Sequence, residues 1–134
     1  MHSISGSYDS DHFITSDEVS VRLWDINDSS QCFDVVNIEP KKIEELLEVI
    51  THCEYHPTDS STFLYSSSKG YFEVCDLRVS SDSKTFPTRY NSVENDDGKI
   101  EQFSEIVNSV CWASFSKTKG LIASRDYLHI KIWD

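Results

Sequence analysis

Three segments of this chain are near copies of one another. Val19–Asp25 reads Val-Ser-Val-Arg-Leu-Trp-Asp, and His129–Asp134 reads His-Ile-Lys-Ile-Trp-Asp. Tyr71–Asp76, Tyr-Phe-Glu-Val-Cys-Asp, is a third copy with Cys where the others carry Trp. Side chains alternate along each copy, the period-2 pattern of a strand with one face in a core. The copies stand roughly 50 to 60 residues apart, and self-similarity at such a period marks a structure assembled from repeated small units. A repeated unit must bury its apolar face against its neighbours, so the repeat constrains the fold more than composition does.

Strands closed by Trp-Asp at a regular interval are the signature of a WD-repeat β-propeller, whose usual period is about 40 to 45 residues. The longer interval here predicts insertions. A blade is a four-stranded sheet, and closed rings hold about four to eight blades. At 134 residues the chain supplies about two and a half blades, an open arc with uncovered end faces. The expectation is an all-β piece of a larger propeller, or a shortened product that stops in mid-blade at Asp134.

The predicted layout is an incomplete blade over 1–38, a helical insertion over 40–50, a blade over 51–79, a loop over 80–99 and an incomplete blade over 103–134. In the first blade, 11–15 and 19–25 read as strands around a turn at Ser16-Asp17-Glu18, and 32–38 as an outer strand rich in β-formers. Ile43, Leu46, Leu47 and Ile50 then fall at helical spacing, with Glu44, Glu45 and Glu48 between them. Pro40 suits a first turn, and the acids favour a helix start, so 41–50 reads as a short amphipathic helix. The second blade reads as strands over 51–56, 62–67 and 71–77, with Gly70 supplying the positive φ of a tight hairpin. The stretch 80–99 is polar and turn-rich and predicts a mobile loop. The third blade runs over 107–115, 121–125 and 129–134.

Twenty-three acidic against twelve basic side chains leave a net charge of −11. Nucleic-acid binding needs basic patches and is not expected; basic protein partners suit the charge. The acids cluster: Asp17 to Glu48 holds nine of them against Arg22, Lys41 and Lys42. The four cysteines (32, 53, 75, 111) form no Cys-x-x-Cys pair, and Cys53, Cys75 and Cys111 sit in apolar strand patterns as small core residues. Nothing demands disulfides, the first residues lack the apolar run of a signal peptide, and no stretch is long enough for a membrane span. A cytoplasmic or nuclear protein is expected, in which Asn27-Asp28-Ser29 is a chance glycosylation sequon.

No catalytic constellation emerges. His52-Cys53-x-x-His56 offers zinc-type ligands, but on a strand His52 and His56 share one side while Cys53 faces the other, and no second cluster supplies a fourth ligand. Ser66-x-x-Lys69 matches a nucleophile motif that works on a helix, whereas here it spans a strand and its turn. With four glycines and no Gly-rich phosphate loop, neither an enzyme nor a cofactor or metal site is expected. Arg125-Asp126 precedes the last strand as Asp17-Glu18 precedes the Val19 strand, and in a propeller such turns share one rim. A turn Asp bonding backbone amides accounts for Asp126, which with Glu44 and Glu45 remains a possible rim residue. Asp17 and Glu18, beside the acidic insertion, are surface candidates: carboxylates around an apolar helix edge suit a basic, partly helical peptide.

Longer runs narrow the family. Glu48-Val49-Ile50-Thr51, Glu54-Tyr55-His56-Pro57, Phe63-Leu64-Tyr65-Ser66-Ser67-Ser68-Lys69-Gly70, Cys75-Asp76-Leu77-Arg78, Phe103-Ser104-Glu105-Ile106 and Arg125-Asp126-Tyr127-Leu128 with Lys131-Ile132-Trp133-Asp134 resemble the 55-kDa regulatory B subunits of protein phosphatase 2A. The resemblance implies a seven-bladed propeller that docks on a scaffold subunit and presents substrates to a catalytic phosphatase through an acidic groove on its top face. It places substrate recognition at Asp17, Glu18 and Leu46. The family usually carries two aspartates in that turn, so Glu18 departs in residue but keeps the charge; Leu47 and the 80–99 loop depart as well. The resemblance further implies that the scaffold-gripping hairpin arm and the ring-closing blades lie outside this sequence. The other readings are a generic WD-repeat interaction piece and an inactive truncation product.

Overall fold

The computed structural model describes residues 2–28, 30–79, 88–91 and 108–134. Within them eleven strands form three antiparallel sheets, each in simple up-and-down order. The first sheet holds β1 (Ser3–Gly6), β2 (His12–Ser16), β3 (Ser20–Asp25) and β4 (Cys32–Asn37). The second holds β5 (Ile50–Tyr55), β6 (Thr62–Ser67), β7 (Tyr71–Asp76) and β8 (Thr88–Asn91). The third holds β9 (Trp112–Phe115), β10 (Ile122–Arg125) and β11 (Ile130–Trp133). The three repeated segments, Trp-Asp in two and Cys-Asp in the other, contain β3, β7 and β11, the third strand of each sheet.

The ladders align the three sheets residue by residue. Phe13 pairs Trp24, Phe63 pairs Cys75 and Ile122 pairs Trp133. Two steps on, Thr15 pairs Arg22, Tyr65 pairs Glu73 and Ser124 pairs Lys131. The face of the first sheet bearing Ile14 and Val21 packs against Cys53, Tyr55, Phe63, Tyr65 and Tyr71 of the second. The opposite face of the second sheet, with Leu64 and Phe72, packs against Ala113, Ile122 and Trp133 of the third. Phe72 is the pivot: its ring stacks on Tyr90 of β8 at 4.8 Å and meets the edge of Trp133 at 5.5 Å. Ile130 aligns with Val21 and Phe72, both fully buried, yet is 72% exposed, since no further described sheet covers that face.

Four details differ from the sequence reading. Ser3–Gly6 forms a strand that the reading missed, and its serines do specific work: Ser3 and Ser5 hydroxyls accept the amides of Cys53 and Tyr55 at 2.8 and 3.0 Å, satisfying the free edge of β5. Thr88–Asn91, inside the expected loop, is β8, the fourth strand of the second sheet; residues 80–87 and 92–99 of that loop lie outside the described residues. The expected helix over 41–50 is a single 3-10 turn, Ile43–Glu45. Its backbone groups are claimed elsewhere, because the Ile50 amide donates to Glu18 O at 2.8 Å and Val49 O accepts from Ser68 N at 2.9 Å. So short a helix is marginal alone, and Leu47, one member of its apolar stripe, stands 77% exposed. Finally, Cys111 is exposed while Val110 and Ala113 beside it are buried; Cys53 is buried, and Cys75 is half-buried, its thiol pushed up to about 12 by burial and then by the charge of Glu73.

If Phe72 joins the second sheet to the third, Phe72→Ala should destabilise the chain by about 3–5 kcal/mol, as truncation of a buried aromatic does. Urea unfolding of the two proteins measures it, and a loss under about 1 kcal/mol would refute that packing role.

Candidate functional site

One edge of the arc carries the hairpin between the second and third strands of every sheet. It also carries the segments entering β5 and β9, and backbone hydrogen bonds stitch these pieces together. Ile50 N donates to Glu18 O at 2.8 Å, Ser68 N to Val49 O at 2.9 Å, Val110 N to Ser67 O at 3.2 Å and Cys111 N to Arg125 O at 2.9 Å. Two of these bonds, Ile50 N to Glu18 O and Val110 N to Ser67 O, tie the hairpin of one sheet to the segment that starts the next, and the other two tie a hairpin to its own sheet's first strand. The sequence-predicted residues Asp17, Glu18 and Asp126 fall on this rim, and Leu46 lies in the segment that leads to β5.

Asp17 is less free than the sequence reading assumed. Its Oδ1 accepts the amides of Val19 and Ser20 at 3.0 and 2.8 Å, the Ser20 hydroxyl lies 3.1 Å away, and Arg22 approaches Oδ2 at 2.9 Å. Burial disfavours its charge, but the two amides, the hydroxyl and Arg22 outweigh burial and hold the carboxyl below its ordinary value. Asp126 repeats the device in the third sheet. Its Oδ1 accepts the amides of Leu128 and His129 at 2.9 and 2.6 Å, Lys131 lies 4.0 Å away, and the residue is buried. Both aspartates therefore hold turns, as local Asp–backbone bonds do.

The second sheet builds the same corner from different parts. Ser67 stands where the others have Asp; its hydroxyl accepts Lys69 N at 3.1 Å and donates to Glu48 Oε1 at 2.6 Å. Tyr71, aligned with Ser20 and His129, donates its hydroxyl to the same oxygen, and Gly70, at φ 86°, closes the turn. The Trp position changes in step. Trp24 and Trp133 donate their indole N–H to the hydroxyls of Thr15 and Ser124 at 2.9 and 2.7 Å. Cys75 cannot, and the partnered position is Tyr65, whose hydroxyl donates to Glu73 at 2.6 Å. Glu73 occupies the place of Arg22 and Lys131, so the charge is inverted. Arg89 of β8 compensates it at 2.5 Å while lying 3.9 Å over the Tyr71 ring.

The remaining candidates are surface groups. Glu18 is exposed and lies 3.5 Å from His2; Glu44 and Glu45 are exposed in the 3-10 turn, and Leu46 after it is half-buried. The Ile50–Glu18 bond brings the end of this segment to the first hairpin. Sequence reasoning missed Glu48; the signal was a hairpin with Ser67 where its siblings carry Asp. The His-Cys motif divides as alternation dictates: His52 and His56 face Trp112 and Phe115, while Cys53 points to Ser3, 3.1 Å from its sulfur. Among the described residues no cluster of His, Cys, Asp and Glu is arranged to hold a metal, and no helix is long and apolar enough to cross a membrane.

Four-stranded sheets packed face to face, with third strands closed by Trp-Asp in the first and third sheets and an indole-to-hydroxyl bond in each of those two, define the blades of a WD-repeat β-propeller, the third of them seen here through three described strands. Comparison with known proteins is specific within that class. Over all 134 residues the chain is 40% identical to the serine/threonine-protein phosphatase 2A regulatory subunit phr2AB of Dictyostelium discoideum, covering 28% of that protein. It is 37% identical to the protein phosphatase PP2A 55 kDa regulatory subunit of Drosophila melanogaster and 40% to a protein phosphatase PP2A regulatory subunit of Schizosaccharomyces pombe, covering 27% and 29% of them. No family model matches the chain. The chain is a homologue, along its entire length, of the 55-kDa regulatory B subunits of protein phosphatase 2A, and it spans little more than a quarter of their length.

The lowered carboxyl of Asp17 fixes a pH dependence. A group more acidic when folded stabilises the fold above its unfolded value and loses that contribution as pH falls through the folded value. Asp17→Ala should cost about 1.5–3 kcal/mol at pH 7, the worth of charge-assisted bonds. The gap from wild type should start to close below pH of about 4; chemical unfolding at stepped pH measures it, and a constant gap would refute the assignment.

Proposed function

We propose that the chain is a non-enzymatic regulatory, substrate-recognising part of a protein serine/threonine phosphatase of the 2A type. The observation that carries the reading is the identity of 37–40% to named regulatory subunits along the whole chain. On this reading its partners are the phosphatase scaffold and catalytic subunits together with basic protein segments. Glu18, Glu44 and Glu45 supply the attracting charge, and Leu46 supplies an apolar contact between them. Exposed carboxylates steer and select a basic partner more than they add raw affinity. Asp17 serves this surface indirectly, by shaping the turn that presents Glu18. A net charge of −11 favours the same class of partner.

The decisive experiment is capture of the recombinant scaffold–catalytic pair by the tagged chain, paired with titration of a Lys- and Arg-rich peptide. Glu18→Lys should leave the melting temperature in place and weaken the peptide by about two- to tenfold at 0.15 M salt, with a flatter salt dependence. Capture without peptide discrimination would keep the phosphatase role and remove the acidic rim from it; loss of both would overturn the reading.

A further inference from the structure

In the first and third sheets the carboxylate that organises the rim hairpin comes from the hairpin itself, as Asp17 and Asp126. In the second sheet it comes from Glu48, nineteen residues before Ser67, in the segment that carries the acidic turn. This exchange ties two otherwise separate pieces together. Glu48 Oε1 receives both the Ser67 and the Tyr71 hydroxyls, Val49 N donates to Ser68 Oγ at 3.0 Å, and Val49 O accepts from Ser68 N at 2.9 Å. The Tyr71 donor is itself oriented, since its ring lies under Arg89 and Arg89 is fixed by Glu73. Burial, and then the bond to Glu48, push the Tyr71 hydroxyl up to about 12, so it stays a donor across the neutral range. Just upstream, Glu45 N donates to Lys42 O at 2.9 Å in the 3-10 turn.

We propose that Glu48 is the positioning residue of the rim: its carboxylate latches the Ile43–Glu45 turn onto the second hairpin and so sets where that turn's charges stand beside Glu18. The proposal deepens the recognition role argued above and rests on it. It assigns different work to neighbouring acids: Glu44 and Glu45 face solvent, whereas Glu48 points inward to two hydroxyls.

The test uses the full chain with Glu48→Ala, Glu48→Gln and Tyr71→Phe, and reads amide hydrogen exchange alongside binding of a synthetic Lys- and Arg-rich peptide. Glu48→Ala should speed exchange at Val49, Ile50 and Ser68 by about tenfold while Ala123 and Ser124 in the third sheet keep their rates. Glu48→Gln and Tyr71→Phe, which keep the packing, should show smaller changes at the same amides, and peptide affinity should fall in the same order. Unchanged exchange at those amides, or equal acceleration in the third sheet, would overturn the latch. Local acceleration with unchanged peptide affinity would leave the latch standing and overturn instead the acidic-rim reading it serves.

Discussion

Each sheet in this chain depends on contact with the next, because the side chains of its apolar faces have nothing within the sheet to bury them. The second sheet shows the dependence on both sides. Phe63, Tyr65 and Tyr71 fill one interface with the first sheet, and Leu64 and Phe72 fill the other with the third. Neighbour-dependent burial also sets the exposure of the ends. Ile130 stands open where its counterparts Val21 and Phe72 are sealed, a difference of place in the array rather than of residue type.

Close packing of sheets brings their hairpins and entry strands onto one edge, where buried backbone must find partners. The chain solves this locally, with a carboxylate at each corner. Asp17 and Asp126 are supplied by the turns, Glu48 by the preceding connection. The second sheet also inverts the charge of its third strand, with Glu73 in place of a cation, and recruits Arg89 from its fourth strand to match. That recruitment makes β8 an electrostatic part of the sheet as well as a hydrogen-bonded one.

Much of the blade architecture was legible because alternation, the Trp-Asp closures and Gly70 are local signals that tertiary packing reinforced. Legibility failed where non-local partners decided the outcome. Ser3–Gly6 carries serines at core-facing places, and partners distant in sequence explain them: the amides of β5 and, for Ser3, the Ser16 hydroxyl and Cys53 sulfur. The helical spacing of Ile43, Leu46, Leu47 and Ile50 was real in sequence, but Ile50 N and Val49 O bond to neighbouring hairpins, which no periodicity could reveal. Thr88–Asn91 sits in a polar stretch and becomes a strand because Arg89 answers a buried Glu73 on β7. For the site, the position of the acidic turn was readable; the division of its acids into structural and solvent-facing groups was not.

That division changes what the negative charge of this region can do. Of the nine acids from Asp17 to Glu48, Asp17 and Asp34 meet Arg22, Asp25 and Asp28 bond their own turns, and Glu48 binds two hydroxyls. Charge engaged in this way shapes the rim but is partly neutralised or turned inward, so it attracts a partner less than its count implies. The carboxylates exposed to solvent at the hairpin and the 3-10 turn are Glu18, Glu44 and Glu45. They lie on two segments joined through the Ile50–Glu18 bond, and one of those segments is held by Glu48. An aspartate in place of Glu18 would carry the same charge on a shorter arm, so the choice of residue there alters reach more than field. Selectivity on such a rim depends less on how many acids the sequence contains than on which of them the hairpins leave unspent.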